Sequence, residues 1–293
     1  MRLTHCMFFL VDERAFEQFN LRRWTNGCDL SEDGGCMNAS LKPAQKPADA
    51  QQRARVDLAA CHRLAAHFGY HEGIDNHLTL LVPGHSDRFY LAPFGLHWSE
   101  VKASDLLVLD FGGRVLSGQG LVEDTAKFIH TPVHRSSPQG NCVLHTHMPY
   151  ATALGMLENP RLEMAVQSAL IFHDDIAYDT NYNGLAYDES EGERLALALG
   201  DKSVLLMGNH GALVVGRTLP LAFERLYFLE RAAQAQLLAM STGRPLRLIP
   251  ESVVERTFAQ MEGGSAVGGF AREELHFEAL KRMLDRAGMD YAG

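Results

Sequence analysis

The chain has 293 residues, 46% hydrophobic and 22% charged, the balance of an ordinary soluble globular protein rather than a disordered one. Its 27 Lys and Arg against 36 Asp and Glu leave a net charge of -9, with no basic run, which argues against nucleic acid or an anionic membrane as partner. Its apolar stretches fall short of the roughly 20 residues of a membrane span, and Met1 to Val11 lacks a signal-peptide cleavage pattern, so the cytoplasm is the expected compartment.

Residues 1–48 show no sustained period and carry the breakers "EDGG" and "KPAQKP"; they read as a loose N-terminal extension. From Ala50 the pattern sharpens. Val56, Ala60, Leu64 and Phe68 recur every four residues, a helix face stopped by Gly69. "HLTLLVPG" and "RFYLAP" alternate as two strands about a turn, and "LLVLDFGGRVLSG" as two more about Gly112 and Gly113. Asp124 to Ser137 returns to helical spacing, "NCVLHTH" is a buried strand, and "PYATALGML" a helix. A short strand "IAYDT", a helix from Ser190 to Gly200, and two strands within "SVLLMGNHGALVVG" follow. The longest helix opens at Thr218-Leu219-Pro220 and closes at Gly243, with a stripe from Ala222 through Leu226, Leu229, Ala233 and Leu237 to Met240. Residues 249–293 read as a charged tail with one helix, near Ala271 to Arg286. The whole is an α/β fold with a single domain over 49–248.

Five cysteines at irregular spacings indicate neither a disulfide framework nor a cysteine metal site; the 14 histidines are the telling excess. His145-Thr146-His147 closes an apolar strand, and residues two apart on a strand point the same way, so both imidazoles face one side at its end. A third ligand is best sought at His210, which Gly208 and Gly211 bracket at the end of another apolar strand. Three imidazoles and an open position suit a divalent metal ion, zinc first, with manganese, iron or cobalt as alternatives. The spacing fits neither a metallo-β-lactamase-like site nor an amidohydrolase barrel.

These residues fall in an ordered series: "GIDNHLTLLVPG", "FYLAPFGLHWSEVKASDLLVLDFGG", "FIHTPVHRSSPQGNCVLHTHMPYATAL", "LLMGNHGALVVG" and "AFERLYFLERAAQAQ". The series resembles the class II aldolase and adducin family over about residues 53–245. The resemblance implies a three-layer α/β/α sandwich around a mainly antiparallel sheet, a homotetramer with sites at subunit interfaces, and His145, His147 and His210 as metal ligands. It also implies that Asn76 lies in a substrate loop. Departures from the family pattern are as informative. The position of the aldolases' proton-transferring glutamate is Ala126, the two phosphate-binding serines before it correspond to Asp124 and Thr125, and the threonine-glycine phosphate loop corresponds to Phe94-Gly95. No convincing match exists for their proton-donating tyrosine, which falls near Val166. The sequence thus looks more like an adducin-like bacterial branch that keeps the metal histidines and loses the glutamate.

The expected function is a metal-dependent lyase, carrying out aldol cleavage, decarboxylation or epimerisation on a small, non-phosphorylated hydroxy or keto carbonyl compound. The alternative is an adducin-like binding or assembly module. Glu123 or Asp124 is expected to supply what Ala126 cannot, Asp124 being favoured by its place at the helix start, where it is equally a simple N-cap. Asn76, Gly95 and His130 are the expected substrate-binding residues, with His77 and His134 nearby.

Overall fold

The computed structural model describes residues 50–263, 266–267 and 270–293. The expected N-terminal extension, with Cys6, Cys28 and Cys36, lies outside the described residues.

Eight strands form one sheet: β1 (His77–Leu81), β2 (Arg88–Leu91), β3 (Leu107–Asp110), β4 (Val115–Ser117), β5 (Cys142–Thr146), β6 (Ile176–Asp179), β7 (Val204–Met207) and β8 (Gly211–Gly216). Their spatial order is β4-β3-β2-β1-β5-β8-β7-β6. Each neighbouring pair is antiparallel except β6 with β7. The first four strands are the two hairpins expected from the alternating runs. The parallel pair needs a crossover, and helix α4 (Glu189–Leu199) supplies it. Asp188 caps α4 by accepting from the Glu191 amide.

Strand alternation sorts the side chains into two layers. On one face Leu78, Cys142, Leu144, Leu206 and Val214 pack with α1 (Ala50–Phe68), α3 (Pro149–Gly155) and the long α5 (Leu219–Met240). On the other, Val143, Leu205, Leu213 and Val215 pack with α4 and α2 (Asp124–Ser136) through Ile129, Val133, Leu195 and Leu199. This is the three-layer sandwich with a mainly antiparallel sheet. His77, Thr79 and His145 lie on the α2 side of the sheet. They continue the rows of Val143 and its neighbours, so polar groups replace apolar ones where the sheet nears its end.

Residues 249–293 correct the expectation of a charged tail with one helix. They form α6 (Glu251–Gly263), a two-stranded hairpin of β9 (Ala266–Val267) and β10 (Phe270–Ala271), and α7 (Arg272–Arg286). Phe277, Leu284 and Tyr291 are buried in the same core as α1 and α5. Phe277 meets Phe223 of α5 edge-on with ring centroids 5.8 Å apart. Lys281 bonds Asp57 of α1 at 2.8 Å. Part of the apolar stripe on α5 is therefore covered by α7 of the same chain, while Leu238 and Met240 at its C-terminal end stay exposed. Among the described residues no helix is long and apolar enough to cross a membrane.

Candidate metal centre

His145 is the penultimate residue of β5, His147 follows one residue beyond the strand, and His210 sits in the tight turn between β7 and β8. Because β5 and β8 are neighbours in register, with Thr146 opposite Ala212, the three meet at one end of the sheet. Ring centroids are separated by 5.0 Å (His145–His147), 4.8 Å (His145–His210) and 4.9 Å (His147–His210), a nearly equilateral triangle. One nitrogen from each lies within 4.8 Å of those of the others. Gly211 makes this approach possible: a Cβ there would stand 2.5 Å from the Thr146 carbonyl oxygen and 2.7 Å from Cδ2 of His147.

The hydrogen bonds decide which nitrogens are free. Nδ1 of His145 lies 3.1 Å from the Ala212 carbonyl, an acceptor only, so it carries the proton and leaves Nε2 with its lone pair. Nδ1 of His147 is bonded to the Glu72 carboxylate, while its Nε2 is buried without a partner. The Asn76 side chain accepts from the His147 amide at 3.1 Å and adopts φ 74°, a left-handed conformation that asparagine tolerates better than most residues. Burial holds His145 well below the usual imidazole range and, with the neighbouring His147, His210 at about 4, so both rings stay neutral near pH 7. Three converging imidazoles, two of them with the far nitrogen anchored on an acceptor, are a donor set that fits a divalent ion.

A second histidine cluster flanks the first. His77 pairs across the sheet with His145, their rings 6.4 Å apart. Its Nε2 donates to Glu123 at 2.6 Å, and the other Glu123 oxygen accepts from the Thr125 hydroxyl at 2.7 Å. The bond from His77 holds the Glu123 carboxyl below its ordinary range. Beneath lies a fully buried column. His134 Nδ1 donates to the Gly140 carbonyl, so its Nε2 accepts from the Thr79 hydroxyl at 2.8 Å. The Thr79 oxygen in turn accepts from His130 Nδ1 at 2.6 Å. That order leaves His130 Nε2 as a buried lone pair without a partner, its ring 5.6 Å from that of His77.

The structure separates the two carboxylates that the sequence treated together. Glu123 turns inward and, with Asn76, His77, Phe94, Leu96 and Trp98, borders a cavity of about 20 Å³, room for about one water. Asp124, preferred from sequence, is exposed and makes no side-chain hydrogen bond among the described residues. It is the first residue of α2 rather than its cap; the cap position belongs to Glu123, whose side chain makes no capping bond because His77 and Thr125 engage it. Gly95 adopts φ 98° between Phe94 and Leu96, which line the cavity, but does not itself line it. His130 is fully buried, so it borders the site from behind His77 rather than from an open pocket. Ala126, the position that the sequence resemblance aligns with the aldolases' glutamate, is packed with Phe89, Leu91, Leu107 and Leu109. A cavity of about 600 Å³ between α2 and α4 contains none of these histidines.

Sequence reasoning missed two partners. Glu72, on the loop before β1, gave no periodic signal, and Tyr182, whose ring lies 6.0 Å from that of His210, sits in a loop where only proximity reveals it.

Comparison with known proteins agrees with this architecture. The model of the class II aldolase and adducin N-terminal domain matches residues 56–237. A Caulobacter vibrioides protein named for aldolase class 2 is 34% identical over 263 residues, covering 89% of this chain and 99% of its own. The decarboxylase NovR of Streptomyces niveus is 30% identical over 222 residues, 75% of this chain and 81% of its own. The crystal structure of an aldolase II superfamily protein from Pseudomonas syringae superposes with a TM-score of 0.75 at 34% identity, covering 83% of this chain and 96% of that one. The chain belongs to the class II aldolase and adducin family.

Proposed function

We propose that this chain is a metal-dependent lyase acting on a small, non-phosphorylated hydroxy or keto carbonyl compound. The observation that carries the reading is the convergence of three imidazoles, two of them with Nδ1 anchored so that Nε2 is free. His145, His147 and His210 would hold the ion, with zinc the first choice for all-imidazole ligation. When bound, such an ion supplies Lewis acidity that polarises a carbonyl or hydroxyl oxygen. Kinship with aldolases and a decarboxylase is consistent with cleavage of a carbon–carbon bond.

The residues around the centre suit the remaining work. Glu123, ionised and held by His77 and Thr125, is the group placed to hold or move a proton, the role Ala126 cannot fill. Asn76 fixes the backbone at His147 and so the ring's direction. The charged groups bonded to the histidines, Glu72 and Glu123, are acidic, and Arg194, which shares a cavity lining with His210, is bonded to Asp179 and Glu191. A phosphate would find repulsion rather than a partner. A cytoplasmic homotetramer completes the proposal, its motive the family.

Metal analysis tests it. Purified protein should hold about one equivalent of a divalent ion after dialysis, and His210→Ala should lose it, since two imidazoles are too few for an open site. Full metal retention by His210→Ala refutes the assignment, and wild-type protein without metal favours the binding-module alternative.

A further inference from the structure

Glu230 lies near the middle of α5, where its buried neighbours along the helix are Leu226, Leu229 and Ala233, and it is only 5% exposed. A carboxyl group is costly to bury there unless its oxygens are hydrogen-bonded. Its partners are two backbone amides, 80 and 79 residues away in the chain: one oxygen accepts from Tyr150 and the other from Ala151, each at 2.8 Å. These are the first amide donors of α3, because Pro149, its first residue, has none, and Met148, in the cap position, makes no side-chain capping bond. Glu230 thus caps, from the core side, a helix of a distant segment.

That helix stands between two of the ligand-bearing segments. Its first residue follows His147 by two positions, through Met148, which is fully buried. Its last residue, Gly155, accepts at its carbonyl from the Asn209 amide at 3.2 Å, and Asn209, at φ 55°, immediately precedes His210. A Cβ on Gly155 would stand 3.1 Å from the Met207 carbonyl, so the end of α3 lies hard against the strand end that leads to His210. The seven residues of α3 form a strut, continuous with His147 at one end and bonded at the other to the turn that carries His210.

We infer that Glu230 is a positioning residue for the histidine centre: by gripping the first turn of α3 it fixes where His147 leaves β5 relative to His210, and so the width of the gap an ion would fill. The inference rests on the metal reading above and extends it to a residue that touches none of the three rings. An apolar side chain of the same size would fill the space at position 230. It would leave two amides without acceptors, and α3 would have to shift to satisfy them.

Full-length protein loaded with cobalt(II) tests this, since visible absorption reports ligand geometry and chelator competition reports affinity. Glu230→Ala should weaken cobalt binding roughly ten- to hundredfold, the range for residues that orient metal ligands without touching the metal, and should alter the cobalt absorption bands. Glu230→Gln keeps one acceptor oxygen and should fall between Glu230→Ala and wild type. Leu284→Ala, in α7, removes apolar contact from the same core; it should lower the melting temperature, keep cobalt affinity within about twofold of wild type and leave the bands unchanged. Glu230→Ala with a lowered melting temperature but wild-type affinity and bands overturns the inference, marks the cap as a support of the fold only, and leaves the metal reading intact. Equal losses of affinity in Glu230→Ala and Leu284→Ala overturn it too, because general loosening then accounts for both. Should Glu230→Ala fail to fold, the same readouts on Glu230→Gln and on Gly155→Ala, which crowds the other end of the strut, decide the matter, and wild-type cobalt binding in both overturns the inference. Wild-type protein that takes up no cobalt overturns this inference and the metal reading together.

Discussion

Thr79→Val is a nearly isosteric change at the centre of the buried histidine column, and its cost follows from the hydrogen-bond order. Thr79 donates to His134 Nε2 and accepts from His130 Nδ1, and all three residues are buried. Valine keeps the shape and removes both partnerships, leaving one buried acceptor and one buried donor unsatisfied. Each costs about 1–3 kcal/mol, so the loss is about 2–6 kcal/mol, less about 1 kcal/mol recovered because the hydroxyl no longer has to be desolvated. Against a total stability of about 5–15 kcal/mol this is large. Thr79→Ser keeps both bonds and loses one methyl group, about 1 kcal/mol. Urea denaturation at pH 7.5, with equal m-values for the three proteins, measures the differences. Thr79→Val within about 0.5 kcal/mol of wild type, or less destabilised than Thr79→Ser, would refute the deduced order.

Acid should destabilise the fold through its buried histidines: burial lowers His62 and His134 to about 4. The unfolded chain therefore takes up protons first, and stability present above about pH 6.5 is lost as pH falls toward 4, about 2 kcal/mol per ring by pH 5. His62→Gln should flatten the pH dependence of urea midpoints by its share, and an unchanged slope contradicts the assignment. Gly211→Ala should weaken zinc binding roughly tenfold or more, because its Cβ collides with the Thr146 carbonyl and the His147 ring; a competitive chelator titration reads it, and wild-type affinity would rule out the close approach. Glu123→Gln should abolish turnover with little change in melting temperature, while Asp124→Asn should leave both nearly untouched. The opposite pattern in steady-state assays would return the role to Asp124.

The three metal-ligand candidates were legible because strand alternation and a glycine-bracketed turn are local signals that survive into the fold. The hairpins, α1 and α5 were legible for the same reason. What was not legible depended on distant contact. Glu123 and Asp124 are adjacent in the chain, and only the position of His77, 46 residues earlier, decides which carboxylate turns inward. The C-terminal segment looked like a tail because its apolar positions are few. Phe277, Leu280 and Leu284 nevertheless keep helical spacing, and that stripe finds its surface on α1 and α5. Tyr182 was invisible because an exposed loop aromatic has no period to betray it.

The pairing of β5 with β8 also makes the histidine cluster a gauge of strand register. His147 and His210 are brought together only when Thr146 stands opposite Ala212. A slip by one residue would turn His145 to the opposite face of the sheet, into the layer of α1 and α5. Closing that pair requires the intervening crossover through β6 and α4 to be in place. A misregistered sheet could bury as much apolar surface and keep its helices, yet it would leave the three rings dispersed. The convergence of the imidazoles is thus a check on the correctness of the fold that bulk helix content or compactness cannot provide.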